Sequence, residues 1–78
     1  MIKMSKNLIV RCFLENAREE GKKVVMEYGN TYEDVDLNKY DVTKNTLVIN
    51  NRKIGVRDVY ESVDGYLLKI NGHVLQAI

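Results

Sequence analysis

The feature that most constrains the fold of this chain is a change in its hydrophobic period at Gly21. Before Gly21, apolar residues recur at helical spacing; after it, apolar and polar residues alternate, as they do in half-buried strands. Successive side chains of a strand point to opposite sides, so the alternation directs one set of side chains inward. We therefore expect one helix followed by an antiparallel meander.

The stretch SKNLIVRCFLENAREEG predicts the only helix, over residues 5–20. Ser5 or Asn7 can cap its start by accepting a bond from a backbone N–H, and Gly21 can end it in the left-handed conformation. Its expected apolar face contains Leu8, Ile9, Cys12, Phe13 and Ala17, with Val10 and Leu14 widening the arc. Because Cys12 lies in this stripe, we expect it to pack as a small hydrophobe, and one cysteine excludes an intrachain disulfide.

Turn dipeptides divide residues 22–78 into short strands. A two-residue turn at Gly29-Asn30 pairs Val24 with Val35, and a turn centred on Asn51-Arg52 pairs Leu47 with Val56. Turns at Asp64-Gly65 and Asn71-Gly72 agree on one inward set, which is Val63, Tyr66, Leu68, Ile70 and Leu75. The prediction is a single domain over 1–78, mainly β with one N-terminal helix, in which five to seven short antiparallel strands form a small barrel.

Composition and motifs argue against catalysis. A chain of 78 residues buries only about 60% of its unfolded surface, which leaves little core for an active-site cleft. No phosphate-binding glycine loop or nucleophile elbow occurs, and the one histidine, His73, follows a turn glycine. We expect no enzyme, cofactor or metal site. No apolar run approaches ~18 residues and no signal peptide is recognisable, so we expect a cytoplasmic protein without a membrane partner.

Charge is segmented along the chain. Residues 27–41 contain five acidic side chains and one basic, and an outward-facing Tyr32 would lie among them. The candidate protein-binding residues are Glu27, Tyr32, Glu33, Asp34 and Asp36. Such a face suits a basic protein partner and repels phosphate, so the leading prediction is a non-catalytic interaction module that regulates a larger protein complex. The competing interpretation is an ordinary solvated strand face.

Two stretches resemble the motifs of the Sm-like family, over about residues 22–63. YDVTKNTLV (40–48) is similar to the first motif, with Lys44 in place of its usual methionine. Three residues match that motif in spacing: Tyr40, Asp41 and Asn45. IGVRDVYESV (54–63) is similar to the second motif and has Arg57 and Asp58 without the glycine between them. The resemblance implies a small SH3-like antiparallel barrel.

For function, the Sm-like resemblance implies that Asn45 and Arg57 hold a base while Asp41 orients Asn45; the stacking position falls on Thr43, which has no ring. Single-stranded RNA is thus the alternative partner, bound by a homo-oligomeric ring. The candidate residues are Asp41, Lys44, Asn45, Arg52, Lys53 and Arg57. The chain also resembles the bacterial Rof family, whose members place a helix on an Sm-like sheet and inhibit the terminator Rho. That likeness implies a regulator that recognises a protein.

Overall fold

The computed structural model describes residues 5–78, and within them the chain is mainly β with one N-terminal helix, as predicted. The elements are α1 (Lys6–Glu19), β1 (Val24–Tyr28), β2 (Thr31–Asp34), β3 (Tyr40–Thr43), β4 (Thr46–Ile49), β5 (Arg52–Gly55), β6 (Tyr60–Glu61), β7 (Leu67–Ile70) and β8 (His73–Ala77). These eight strands, one more than the predicted maximum, form an antiparallel sheet ordered β2-β1-β8-β7-β6 and another ordered β3-β4-β5.

The helix begins and ends as its sequence predicts. Ser5 Oγ accepts a 3.2 Å bond from the Leu8 N–H. At the other end Gly21 has a φ of +68°, and the Lys22 N–H donates to the Ala17 carbonyl at 2.9 Å, as in a Schellman motif. The buried face consists of Val10, Phe13, Leu14 and Ala17, whereas Leu8 is 45% exposed. The buried stripe is therefore rotated from the predicted one, and the prediction that Leu8 belongs to it is wrong.

Two predicted hairpin registers are confirmed. At Gly29-Asn30, Tyr28 pairs with Thr31 and the Val35 N–H donates to the Val24 carbonyl at 2.9 Å. At Asn71-Gly72, Ile70 pairs with His73 and Leu68 with Leu75, and both turn residues have positive φ, as a type I′ turn requires. The inward residues of both hairpins are buried, namely Val24, Met26, Val35, Leu68, Ile70 and Leu75.

The β4–β5 register differs from the prediction. The turn is Asn50-Asn51, with φ values of 50° and 62°, and Leu47 pairs with Ile54 instead of Val56. Asparagine tolerates positive φ better than arginine does, so the two asparagines form the turn and Arg52 is the first residue of β5. Moving the turn by one residue changes the pairing partner of each β4 residue by two residues, so the same side chains still point inward. Leu47, Ile49, Ile54 and Val56 are all buried, as predicted.

The loop before β7 also differs. Glu61 pairs with Leu68 as predicted, but residues 63–66 form a four-residue loop in which Val63 is fully exposed. The loop is closed by Ser62, whose N–H donates to the Leu67 carbonyl at 2.9 Å and whose hydroxyl donates to Asp64 Oδ1 at 2.6 Å. Hydrogen bonds from Ser62 and from the Tyr66 N–H lower the pKa of the Asp64 carboxyl. The prediction that Val63 and Tyr66 lie in the core is wrong, because Val63 is fully exposed in this loop and Tyr66 is 40% exposed at its end.

One hydrophobic cluster joins the helix and both sheets. It contains Val10 and Leu14 from the helix, and its sheet members include Met26, Leu68, Ile70, Leu75, Leu47 and Ile49. Since the inward side chains of both sheets meet in this cluster, the alternate side chains of each strand point away from it. The positions available for recognition are therefore the outward faces of the sheets, the turns and the exposed side of the helix.

Candidate functional site

The five-stranded sheet presents an outward face that we call the outer sheet face. Strand registers align one outward residue from each strand into a row, which in strand order is Tyr32, Glu27, Val74, Lys69 and Tyr60. A second row in the same order contains Asp34, Val25, Gln76 and Leu67. In β1, β7 and β8 the residues of both rows alternate with buried residues, so the rows lie on the side opposite the core.

The outer sheet face has an apolar floor between exposed aromatic side chains. Val25, Val74 and Leu67 are half-buried, whereas Tyr32 is 72% exposed and Tyr60 is 57% exposed. A cavity of about 200 Å³ lies over β1 and β8, lined by Val25, Glu27, Tyr32, Val74, Gln76 and Ile78. Tyrosine beside aliphatic residues is typical of protein interfaces, because its ring contributes area and its hydroxyl can bond to a partner.

Charge on this face is divided between the two ends of the sheet. Glu27 and Asp34 lie on β1 and β2, and Lys69 lies on β7. Hydrogen bonding to the Glu27 carboxylate, together with its negative charge, raises the pKa of the Tyr32 hydroxyl. Asp34 Oδ2 is 3.3 Å from Lys23 Nζ, an exposed ion pair. The acidic end of the face is thus the end that carries Tyr32.

The predicted protein-binding residues are divided between two sides of β2. Glu27, Tyr32 and Asp34 share the outer sheet face, but Glu33 pairs with Met26 and points to the other side. There Glu33 Oε1 is 3.1 Å from Arg52 Nε. Asp36 lies in the connection after β2 and its Oδ1 accepts a 2.9 Å bond from the Asn38 N–H. Three of the five predicted residues are therefore brought together, and two are not.

Glu33 and Asp36 instead line an open cleft of about 640 Å³. The lining residues are Glu33, Asp36, Lys39, Tyr40, Asp41, Val48, Ile49, Asn50 and Asn51. At its edge the Tyr40 hydroxyl donates to Glu15; burial, and then this hydrogen bond, raise the pKa of Tyr40 to about 12. The carboxylates that line the cleft suit a cationic group better than a phosphate. Within residues 5–78, no group of three or more His, Cys, Asp or Glu side chains could hold a metal ion.

The residues predicted to bind RNA are only partly grouped. Lys44 and Asn45 form the β3–β4 turn, with φ values of 49° and 61°, and the Val56 N–H donates to the Asn45 carbonyl at 2.7 Å. This bond places Arg57 beside the turn. Asp41 Oδ2 accepts a 3.1 Å bond from the Thr43 hydroxyl. Lys44, Asn45 and Arg57 therefore share one end of the three-stranded sheet.

The other two basic candidates lie away from that end. Arg52 begins β5 at the opposite end of the strand and forms the ion pair with Glu33. Lys53 pairs with Val48, which also pairs with Asp41, so Lys53 and Asp41 lie two strands apart on the outward side of the three-stranded sheet. A surface built from all six predicted residues would have to extend along the whole of β5.

Sequence reasoning missed the part of the outer sheet face that β6, β7 and β8 contribute. Its residues are Lys69, Val74, Gln76, Leu67 and Tyr60. The Asn71-Gly72 turn does predict that Lys69 and Val74 are neighbours, but the pairing of β1 with β8 has no local signal. That pairing joins the acidic strands to the lysine-bearing ones and makes the surface continuous across five strands.

Among the helices in residues 5–78, none has the length and apolar character needed to cross a membrane. No protein-family model, no curated protein and no solved structure matches this chain.

Proposed function

We propose that this protein is a non-catalytic interaction module that binds a protein partner through the outer sheet face and thereby regulates a larger complex. The observation that carries the proposal is the placement of Tyr32, 72% exposed, beside Glu27 on a face floored by Val25 and Val74. Large exposed aromatic rings over half-buried aliphatic side chains are what a protein partner can cover with a gain in apolar burial.

The chemistry of the acidic end favours a basic partner segment. An arginine side chain can stack on the Tyr32 ring while its guanidinium bonds to Glu27, and a cation–π contact at an exposed site is worth about 0.5–1 kcal/mol. Bidentate bonding between arginine and a carboxylate adds directional specificity. The Tyr32 hydroxyl is protonated at neutral pH, as in any tyrosine, so it can donate to a partner; the carboxylate of Glu27 raises its pKa further above the ordinary value.

The experiment compares two tyrosine–glutamate pairs. The test variant is Tyr32→Ser with Glu27→Gln. The control is Tyr66→Ser with Glu20→Gln, because the Tyr66 hydroxyl is 3.5 Å from Glu20 Oε1 in a pair outside the outer sheet face. Both variants have the same composition and net charge, so a general loss of charge or of tyrosine affects them equally.

A partner captured by the immobilised wild-type chain is then purified and titrated against each variant. We expect the test variant to bind at least ~10-fold more weakly, because it loses an aromatic anchor, and the control to bind like wild type. Equal affinities for the two variants would remove the outer sheet face from the proposed function.

Single-stranded RNA binding is the alternative function, and one observation supports it. The bond from Val56 N–H to the Asn45 carbonyl brings Asn45 and Arg57 together, and these are the two residues that the Sm-like resemblance implies for base binding. Lys44, in the same turn, adds positive charge beside them. Affinity for a labelled single-stranded RNA should fall as salt rises. Lys44→Ala with Arg57→Ala should weaken binding more than Lys22→Ala with Lys39→Ala, which removes the same charge elsewhere. Absence of binding at low salt would dismiss this alternative.

A further inference from the structure

The central row of the outer sheet face has an unusual internal symmetry. Across the strands it contains tyrosine, an acid, valine, a base and tyrosine, that is, Tyr32, Glu27, Val74, Lys69 and Tyr60. Reversing the row exchanges the two tyrosines, leaves valine in the middle and exchanges the acid with the base. A surface with that property is complementary to a second copy of itself.

We propose that the outer sheet face also binds a second copy of this chain, in competition with the protein partner proposed above, and that the two copies pack face to face about a two-fold axis parallel to β8 near Val74. In such an isologous interface every contact occurs twice: if a residue of the first copy contacts a different residue of the second, the same two residues also meet with the copies exchanged. Glu27 of each copy then lies over Lys69 of the other, and Tyr32 lies over Tyr60. The inference rests on the proposed function in assigning recognition to this face.

The second row supports the same axis. Val25 on β1 and Leu67 on β7 lie at equal distances on either side of Gln76 on β8. The axis therefore places Val25 of one copy against Leu67 of the other and brings the two Gln76 amides together, where each can donate to the other. Apolar groups meet apolar groups and opposite charges meet in both rows, which is the complementarity that a specific interface requires.

The balance of charge on the face also favours a second copy over a polyanionic partner. Lys23 and Lys69 balance Glu27 and Asp34, and the Lys23–Asp34 pair is already formed within one chain. The charges left to match across the axis are Glu27 and Lys69, one of each sign in every copy. A copy related by the axis satisfies both, whereas a polyanion would meet Glu27 and Asp34 without compensation.

The size of the face predicts a weak dimer. Five strands spaced about 4.8 Å apart are roughly 24 Å wide, and strands of four to five residues are roughly 15 Å long. The covered area is then on the order of 400 Å² per copy, below the roughly 800 Å² per partner of a stable standard interface. The dimer therefore forms at high concentration and leaves the face open at low concentration, so self-association regulates access by another protein.

The test is sedimentation equilibrium of the purified full chain from micromolar to millimolar concentration. We expect a reversible monomer–dimer equilibrium. Lys69→Glu puts the new glutamate of each copy over Glu27 of the other, and this repulsion, which occurs twice in the dimer, should weaken the dimer at least ~10-fold. Glu27→Lys with Lys69→Glu exchanges the charges and should restore the affinity to near that of wild type. Lys53→Glu, an equal charge change on the other sheet, should leave the affinity unchanged.

A chain that stays monomeric at millimolar concentration overturns the inference, as does a dimer that Lys69→Glu does not weaken or that the exchanged pair does not restore. If Lys69→Glu fails to fold, amide chemical shifts of the wild-type chain over a dilution series decide the matter. Shifts concentrated in the two rows support the interface, and shifts concentrated elsewhere refute it. If the chain stays monomeric but binds a captured partner through Tyr32 and Glu27, only the dimer is refuted. If the chain dimerises but no such partner binds the outer sheet face, only the proposed regulatory function is refuted.

Discussion

The side chain of Asn50 donates a 2.8 Å hydrogen bond from Nδ2 to the backbone carbonyl of Asp34. Its Oδ1 accepts a 3.1 Å bond from the Asp36 N–H. Asn50 belongs to the turn between β4 and β5, and Asp34 ends β2 at the edge of the five-stranded sheet. One amide therefore links the two sheets and satisfies backbone groups at a sheet edge, which would otherwise be open to pairing with another chain.

This link predicts different effects for two neighbouring asparagine substitutions. Asn50 and Asn51 both have positive φ, so glycine relieves backbone strain at either position. Only Asn50→Gly loses the two hydrogen bonds, each worth about 0.5–1.5 kcal/mol. We expect Asn50→Gly to lower the free energy of unfolding by about 1–2 kcal/mol and Asn51→Gly to leave it unchanged or slightly higher. Urea unfolding measures both, and equal midpoints would contradict the link.

The orientation of the helix predicts unequal costs for two leucine truncations. Leu14 is fully buried, whereas Leu8 is 45% exposed on the same helix. Leu14→Ala should lower the free energy of unfolding by about 2–5 kcal/mol, because it leaves a cavity in the core. Leu8→Ala should cost below ~1 kcal/mol, as exposed substitutions usually do. Similar costs for the two substitutions would contradict this orientation of the helix and would mean that Leu8 is buried.

Tyr40 predicts a stability change at alkaline pH. The ordinary pKa of tyrosine is 10.0, and in the folded chain the pKa of Tyr40 is about 12. Between these values the unfolded chain has lost the Tyr40 proton that the folded chain still holds, so the free energy of unfolding falls as pH rises. The stabilisation is fully present below pH 10 and is lost as pH passes through about 12.

The Tyr40→Phe variant checks this assignment. Phenylalanine has no proton to lose, so the decline in unfolding free energy between pH 10 and about 12 should become shallower than in wild type. Absorbance titration of the tyrosines should also lose its highest-pH step. Tyr60→Phe, at an exposed position, serves as the control. Persistence of the highest-pH step in Tyr40→Phe would assign it to another tyrosine.

The stacking of Tyr28 on His73 predicts a measurable coupling. The ring centroids are 4.1 Å apart and the ring planes differ by 8°. Replacing each residue with leucine, singly and together, should give a coupling free energy of about 0.5–1.5 kcal/mol. The pair Tyr60 and His73, on opposite faces of the sheet, should be additive within ~0.5 kcal/mol. Additivity of Tyr28 and His73 would mean that the stack adds nothing to stability.

Local chemistry explains which parts of the fold were predictable. The helix has its cap at Ser5 and its left-handed glycine at Gly21, and both act within a few residues. The Asn71-Gly72 turn sets the β7–β8 register because both its residues accept positive φ. By contrast, any even shift keeps the same side chains inward, so hydrophobic pattern alone could not choose between Asn50-Asn51 and Asn51-Arg52 as the β4–β5 turn.

The candidate site shows the same division. Sequence alternation by itself determined that Glu27, Tyr32 and Asp34 share one side of a hairpin, because strand geometry imposes a period of two. Only the tertiary structure decided that β8 pairs with β1, which places Lys69 and Tyr60 in the same row as Tyr32. Strand pairing between distant segments depends on the packing of the whole core, which no short stretch of sequence encodes.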